Sequence, residues 1–390
     1  MHSSNSPLKI LHVAETAQGG VGSYIEELAP LHARRYGAQA VRIVLPREHA
    51  VHFKALPAAL LDTFDIAGAG RIRCMLRMAR RTWTLVREWQ PDVVHMHSTY
   101  AGFVLRPLLA LALGSRRPRI VYCAHGWAFD RSGPAWLNRT LAAIERVWAR
   151  WSDAVICISR HDLVSAQRAG IDPGRLLVVL NGIGDVPAAA PKASALERWP
   201  TDALRILFVG RLDRQKGVDI LYEALRQLGD RAAAVIVGAA VVADERSASP
   251  PPNVHITGWL TRDRIVELYQ AAQVLVLPSR WEGFGLVALE AMRSGCAVLA
   301  SRVGGLPEVV DEGVTGVLFD AEDADALAGL LGGLSGAVLA EMGSAGRERF
   351  ERRFHIDRVG DELDAVYRAL LARNRVVASD PGAASRTEQT

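Results

Sequence analysis

The chain has 390 residues, 49% apolar and 23% charged, with 34 Gly, 18 Pro and a formal net charge of +4. That composition excludes wholesale disorder and a collagen-like chain, and at roughly 150 residues per domain the length suggests two domains. The charge is uneven: residues 1–185 carry 23 Lys and Arg against 14 Asp and Glu, and residues 186–390 carry 23 against 28, so the first half invites an anionic partner.

In chain order, short apolar runs alternate with helical stretches. Runs 10–13, 40–45, 93–95, 120–123, 154–158 and 177–180 read as buried strands. After a Pro/Ala-rich join at 186–195 the pattern restarts at 205–209, 234–237, 254–257, 274–277, 297–300 and 316–318. Continuous Val/Ile/Leu strands separated by helices argue for parallel sheets covered on both faces, here two doubly wound domains. The loop 244–252 and the Ser/Gly/Ala-rich tail read as mobile. The apolar stretch 101–114 is broken by Arg106 and Pro107 and is shorter than the ~20 residues a bilayer span needs. No charged leader or cleavage site accompanies the apolar run at 10–14. Cys74, Cys123, Cys157 and Cys296 are too scattered for a zinc motif or a disulfide framework. The expectation is a cytoplasmic protein.

Ligands of open α/β sheets bind beyond the carboxyl ends of the strands, so each motif is weighed by the strand it follows. Gln18-Gly19-Gly20-Val21-Gly22 follows the first run and opens a helix at 23–31, where backbone amides can approach an anion. Its spacing is not the dinucleotide fingerprint, and an ordinary Gly-rich turn reads the same way. The segment 71–89 interleaves Arg71, Arg73, Arg77, Arg80, Arg81 and Arg87 with Met75, Leu76, Met78, Trp83 and Leu85. It suits an anionic lipid surface, or simply a helix packed on its own sheet. No recognition motif points to nucleic acid. His95 and His97 invite a metal reading, which is rejected because no third ligand shows suitable spacing. His125 stands at a strand end, where a histidine can hydrogen-bond a reacting group.

In the second half, Gly210-Arg211-Leu212-Asp213-Arg214-Gln215-Lys216-Gly217 follows a strand. Arg211 and Lys216, one of only four lysines, are placed to converge on a diphosphate. Glu282-Gly283-Phe284-Gly285-Leu286 opens another helix and forms a second phosphate cradle, with Glu290 about two turns on. The two carboxylates could hold hydroxyls of a sugar and a ribose, or serve as a cap and an ion pair. Gly304-Gly305-Leu306-Pro307-Glu308 offers a further turn on the same rim. Asp323 and Asp325 have metal–diphosphate spacing but open a helix and read as capping residues. No required metal is expected.

Together Gly19-Gly20-Val21-Gly22, the Gly-Arg-Leu-(x)3-Lys-Gly stretch 210–217 and Glu282-(x)7-Glu290 resemble glycosyltransferase family 4. Ile158-Ser159, Asn181-Gly182-Ile183, His125-Gly126 and 304–308 support the match, which spans residues 10–320. The resemblance implies a GT-B fold: two Rossmann-like parallel-sheet domains facing across a cleft. The implied organisation is an acceptor-binding domain at 1–185, a linker at 186–200 and a nucleotide-sugar domain at 201–360. A helix at 361–375 returns to the first domain, and a disordered tail follows at 376–390.

The resemblance implies a retaining, metal-independent glycosyltransferase without a cofactor, using a UDP- or GDP-linked sugar. Arg211 and Lys216 would bind the diphosphate, Glu282 the transferred sugar and Glu290 the ribose. Gly19 and Gly20 would contact phosphate or acceptor, and His125 the sugar. The backbone of Gly210, Gly283, Phe284, Gly285 and Leu286 would line the phosphate site, and that of Gly258, Trp259 and Leu260 would hold the base. A saccharide or polyprenyl-linked acceptor in surface polysaccharide assembly is expected, with the protein peripheral on the inner face of the membrane through 71–89. The alternatives are a nucleotide-sugar epimerase, a sugar phosphorylase or an inactive nucleotide-sugar-binding subunit.

Overall fold

Buried aliphatic runs generate two separate sheets. The computed structural model describes residues 7–53, 56–114, 117–186, 193–240 and 249–378. The strands are β1 (Ile10–Ala14), β2 (Val41–Pro46), β3 (Leu61–Phe64), β4 (Val93–His97), β5 (Arg119–Cys123), β6 (Ala154–Cys157) and β7 (Leu176–Val178), then β8 (Leu204–Val209), β9 (Ala232–Val237), β10 (Val254–Gly258), β11 (Val274–Leu277), β12 (Ala297–Ser301) and β13 (Gly316–Phe319). The first seven pair in the order β3-β2-β1-β4-β5-β6-β7, and the last six as β10-β9-β8-β11-β12-β13. Every pairing is parallel.

The central strands are buried along their whole length, as in β1, β4, β9 and β12. Helices cover both faces, and each fully buried Leu, Ile or Val contributes roughly 1.5–3 kcal/mol. All four cysteines are buried thiols. In each sheet the strand order reverses once, between β1 and β4 and between β8 and β11. Loops leaving such neighbours diverge and open a crevice at the carboxyl edge.

β3 carries no apolar run and escapes the sequence pattern. It is an edge strand whose Asp62 is buried and paired with Arg42 (3.2 Å) and with Arg81. The first helix begins at Gly19, not at 23, and runs to Tyr36. Gly19 and Gly20 therefore sit in its first turn, and Gly22 lies so close to the preceding loop that a Cβ would stand 2.4 Å from the Ala17 oxygen.

The chain divides into two compact units. One holds the described residues up to Ile158, Leu163–Leu180 and the segment from Ile356 onward; the other holds Ser159–Asp162 and Asn181–His355. The division thus falls before Asn181, not after residue 185. Backbone contacts explain it: Ile183 N–H donates to the Phe354 oxygen (3.0 Å), and the Arg293 guanidinium donates to the Gly184 oxygen (2.6 Å). The last helix, Ile356–Ala378, starts before the expected 361 and continues past 375. It belongs to the first unit, where Gly360 packs on Leu31 and Tyr36 bonds Asp364. Most of the loop expected at 244–252 and the tail from 379 onward lie outside the described residues, as do 187–192 of the join.

Candidate active site

In the second unit, the loops leaving β8 and β11 meet at the switch point. Lys216 Nζ forms an ion pair with the Glu282 carboxylate, and both side chains are largely shielded. Arg211 is half exposed; its guanidinium pairs with Asp213 (3.1 Å) and donates to Gln215 Oε1 (2.8 Å). Gln215 ties the two loops together, donating from Nε2 to the Trp281 oxygen (3.2 Å) and accepting at its backbone oxygen from Arg280 N–H (2.8 Å). The Arg280 guanidinium grips both oxygens of Asp219 (2.9 and 2.7 Å), Glu322 (2.6 Å) and the Arg214 oxygen (3.0 Å). The Asp219 bond does most to raise the Arg280 pKa, and the same bond holds the Asp219 carboxyl below its ordinary value. Sequence reasoning missed Arg280; the only signal was an arginine three residues beyond a strand.

The loop after β12 closes against this pair. Gly304 has φ +56°, and a Cβ there would stand 1.7 Å from the Glu282 oxygen, so only glycine lets the two backbones touch. Gly285, at φ +88°, precedes the helix Leu286–Arg293. Leu306 is wholly buried behind it. Glu308 accepts from the backbone amides of Arg160 (2.8 Å) and His161 (2.9 Å). Gly210, Arg211, Lys216, Glu282, Gly283, Gly285 and Leu286 thus gather at the ends of β8 and β11.

The remaining expected residues sit farther out. Phe284 is a core residue, edge-on to Phe354 (6.0 Å), so only its backbone is available. Glu290 accepts from the Tyr269 hydroxyl (2.9 Å); burial and then the Glu290 charge push the Tyr269 pKa well up. Gly258 ends the edge strand β10 with φ +71°, and the Trp259 side chain after it is 55% exposed, with Leu260 next. Asp323 caps its helix as expected, accepting from Ala326 N–H (2.8 Å), whereas Asp325 does not cap: it accepts from the Gln227 side-chain amide of another helix (2.7 Å).

In the first unit, His125 follows β5 with φ +56°, an uncommon backbone for a non-glycine residue. Its ring stands edge-on to Tyr24 (4.8 Å), one turn along the helix that Gly19 and Gly20 begin. Its Nε2 is hydrogen-bonded to His97 Nδ1 (3.0 Å). The reason given for rejecting a metal at His95 and His97 fails, because strand pairing places His12 directly beside His95. These three can each offer a ring nitrogen within 4.8 Å of the others. Both nitrogens of His12 and of His97 are nevertheless engaged in hydrogen bonds. Burial pushes His12 and His125 down to about 3 and holds His32, His95 and His97 well below the usual range, which disfavours a charge on any of the five rings.

The basic segment forms the helix Arg71–Glu88. Met78 and Leu85 face the core, so they offer nothing to a lipid surface, while Ile72 (70% exposed) and Leu76 (62%) stand out among Arg73, Arg77 and Arg80. Trp136 and Leu111 add exposed apolar area in the same unit. Among the described residues no single helix is long and apolar enough to cross a membrane.

Two doubly wound parallel-sheet domains, the second with Gly-rich, cation-bearing loops at its switch point, have the architecture of the GT-B class. Residues 18–185 match the model of Glycosyltransferase Family 4, and residues 191–334 match that of Glycosyl transferases group 1. The chain is 31% identical to a D-inositol 3-phosphate glycosyltransferase of Xylanimonas cellulosilytica, over 90% of this chain and 91% of the relative. It is 33% identical to an alpha-maltose-1-phosphate synthase of Mycolicibacterium smegmatis, over 72% and 79%. An uncharacterized 41.2 kDa protein in the cps region of Klebsiella pneumoniae shares 29%, over 82% and 87%. Among solved structures, HepE of Anabaena in complex with UDP-glucose superposes with a TM-score of 0.77 at 19% identity, covering 93% of this chain and 100% of the other. The chain belongs to the group 1, family 4 glycosyltransferases, and it is a glycosyltransferase with the GT-B fold.

Proposed function

We propose that the enzyme moves a sugar from a nucleoside-diphosphate sugar to a saccharide acceptor with retention of configuration and without a metal. The observation that carries this reading is the Lys216–Glu282 pair, held beside Arg211 where the β8 and β11 loops meet. In the free enzyme each partner neutralises the other. When the donor sugar nucleotide enters, its diphosphate takes Lys216 and Arg211, and the sugar hydroxyls take the Glu282 carboxylate. Two cations and the amino end of the helix after Gly285 then stabilise the charge that builds on the leaving diphosphate. The bond from the sugar's reacting carbon to the phosphate oxygen breaks, and the acceptor oxygen bonds to the same face. The leaving phosphate oxygen receives the acceptor's proton. The cations do the work a metal would otherwise do; Asp323 is occupied as a helix cap and Asp325 by the Gln227 amide. HepE was crystallised with UDP and with UDP-glucose, which supports a nucleotide-sugar donor. Glu290 and the Gly258–Leu260 backbone are the ribose and base contacts, and His125 with the Gly19 and Gly20 amides supplies the ligand contacts of the first unit.

The acceptor in this reading is a polyprenyl-linked saccharide at the inner face of a membrane, in surface polysaccharide assembly. The arginine-flanked Ile72 and Leu76 carry that part. The protein is expected to pellet with anionic vesicles at low salt and to detach as salt rises. Absence from vesicles at every salt concentration removes it. The central reading is tested with a panel of UDP- and GDP-sugars. One of them should raise the thermal midpoint, since a ligand at a hundredfold its Kd adds about 2.7 kcal/mol. That sugar should then be transferred with its anomeric configuration kept. Epimerisation without acceptor, phosphate-dependent glycoside cleavage, or nucleotide binding without turnover would each replace the reading.

A further inference from the structure

Four histidines of the first unit form one hydrogen-bonded file. His32 Nδ1 lies 3.1 Å from His12 Nε2, His12 Nδ1 lies 3.0 Å from His97 Nε2, and His97 Nδ1 lies 3.0 Å from His125 Nε2. Every link has the same sense, Nδ1 of one ring toward Nε2 of the next. His12, His32 and His97 are wholly buried, and His125, half-buried, is the outer end.

A neutral imidazole has one N–H and one lone pair. With both nitrogens of His12 and His97 in use, the file has two defect-free arrangements: the proton on Nδ1 of every ring, or on Nε2 of every ring. A mixed arrangement sets two N–H groups or two lone pairs against each other. The two uniform arrangements differ at the inner end, where His32 Nε2 is buried and has no partner among the described residues. Protons on Nε2 would strand an N–H in the core, among the rarest defects in folded proteins. Protons on Nδ1 leave only a lone pair there.

We infer that the file is locked with its protons on Nδ1, so that His125 turns an uncharged Nδ1–H outward as a fixed hydrogen-bond donor. A lone histidine side chain in water favours the opposite tautomer, so the buried rings impose this one. His32, His12 and His97 are positioning residues that act through His125. The outward N–H suits an oxygen that accepts, such as a phosphate or sugar oxygen, and adds no charge to the site. Its functional consequence rests on the reading that His125 contacts ligand; the tautomer itself does not. A metal at His12, His95 and His97 is the competing account. Because both nitrogens of His12 and His97 are engaged, it would have to break at least one bond of the file, and it would bury a cation beside rings that no carboxylate is seen to hydrogen-bond among the described residues.

The test is long-range proton–nitrogen correlation on the full chain with 15N-labelled histidine at pH 7. The file predicts four neutral rings, His32, His12, His97 and His125, all protonated at Nδ1. An Nε2–H tautomer or a charged ring at any of the four overturns it, and so does one equivalent of zinc retained after exposure to Zn2+ and desalting. The wild-type spectrum decides even if variants fold poorly. In folded His12→Phe the buried, partnerless nitrogen becomes His97 Nε2, so the same rule should keep His125 on Nδ1–H. A shift of His125 to Nε2–H in that variant overturns the inference. In folded His125→Ala the outward donor is gone, and the KM for the sugar nucleotide should rise about three- to tenfold, the worth of one hydrogen bond, with kcat little changed. An unchanged KM there removes His125 from the ligand site, while the four Nδ1–H rings of the wild type still support the file.

Discussion

The β8/β11 switch point gathers Arg211, Lys216, Arg280, Asp219 and Glu282, whereas the β1/β4 switch point gathers His12, His32, His95 and His97. One region keeps its charges near the surface by pairing them with each other; the other keeps its titratable rings uncharged by burying them. The difference matches the roles proposed for each. Groups that meet a diphosphate have to be cationic yet cheap to hold without it, and exchangeable ion pairs achieve that. Groups that only aim a hydrogen bond gain from being neutral, because burial then fixes them without a charge to solvate.

The sharpest break of this comparison is Glu282→Ala. Transfer should fall by about a thousandfold or more, the scale seen when a preplaced stabilising group is removed. Nucleotide binding, followed by calorimetry, should stay equal or tighten, because Lys216 loses the partner with which the diphosphate competes. Loss of nucleotide binding would show that the pair is structural instead.

A truly structural pair exists for contrast. Arg106 and Glu145 in the first unit are joined at 2.7 Å with side chains 1% and 5% exposed, and Arg106 also stacks on Tyr122. Glu145→Ala strands a buried guanidinium and should cost about 3–5 kcal/mol in denaturant unfolding. A cost near zero would erase the distinction between the two pairs.

Asp153 offers a pH-resolved case. Burial works to raise its pKa, but hydrogen bonds from Arg117 and the Ile120 amide, with the charges of Arg117 and Arg119, hold it below the ordinary carboxylate value. A depressed folded pKa means stability that is present above pH ~4 and lost as pH falls through the folded value. Asp153→Asn should therefore cost about 2 kcal/mol at pH 7, and the gap from wild type should close on acidification. A gap independent of pH would place the loss in packing. The smallest effect is expected at Asp323→Ala, about 1 kcal/mol from the lost helix cap, with transfer unchanged. A fall in transfer would reopen a metal role for that pair.

Most strands and the loop motifs were legible in the sequence because burial writes continuous apolar runs and the motifs follow them, although the run at 254–257, expected to be buried, forms the exposed edge strand β10. β3 was not, since an edge strand with a buried Asp62 has no such run. Pairings made by sheet order were not legible either. Glu282 meets Lys216 only because β11 lies beside β8, and His12 joins His95 only because β1 pairs in register with β4. Arg280 organises both loops through contacts with Asp219, Gln215 and Glu322, none of which has a fixed spacing from it. In the helix 71–88, periodicity separated the core residues Met78 and Leu85 from the exposed Ile72 and Leu76 only once the helix had a sheet to face.

The most direct measurement is a calorimetric titration of the full chain with UDP, GDP and the matching monophosphates, repeated on Arg211→Ala/Lys216→Ala. One base should show a clear preference for its diphosphate in the wild type, and the double variant should lose at least about tenfold of that affinity. Equal diphosphate affinity in a folded double variant would contradict the assignment of Arg211 and Lys216 to the leaving group.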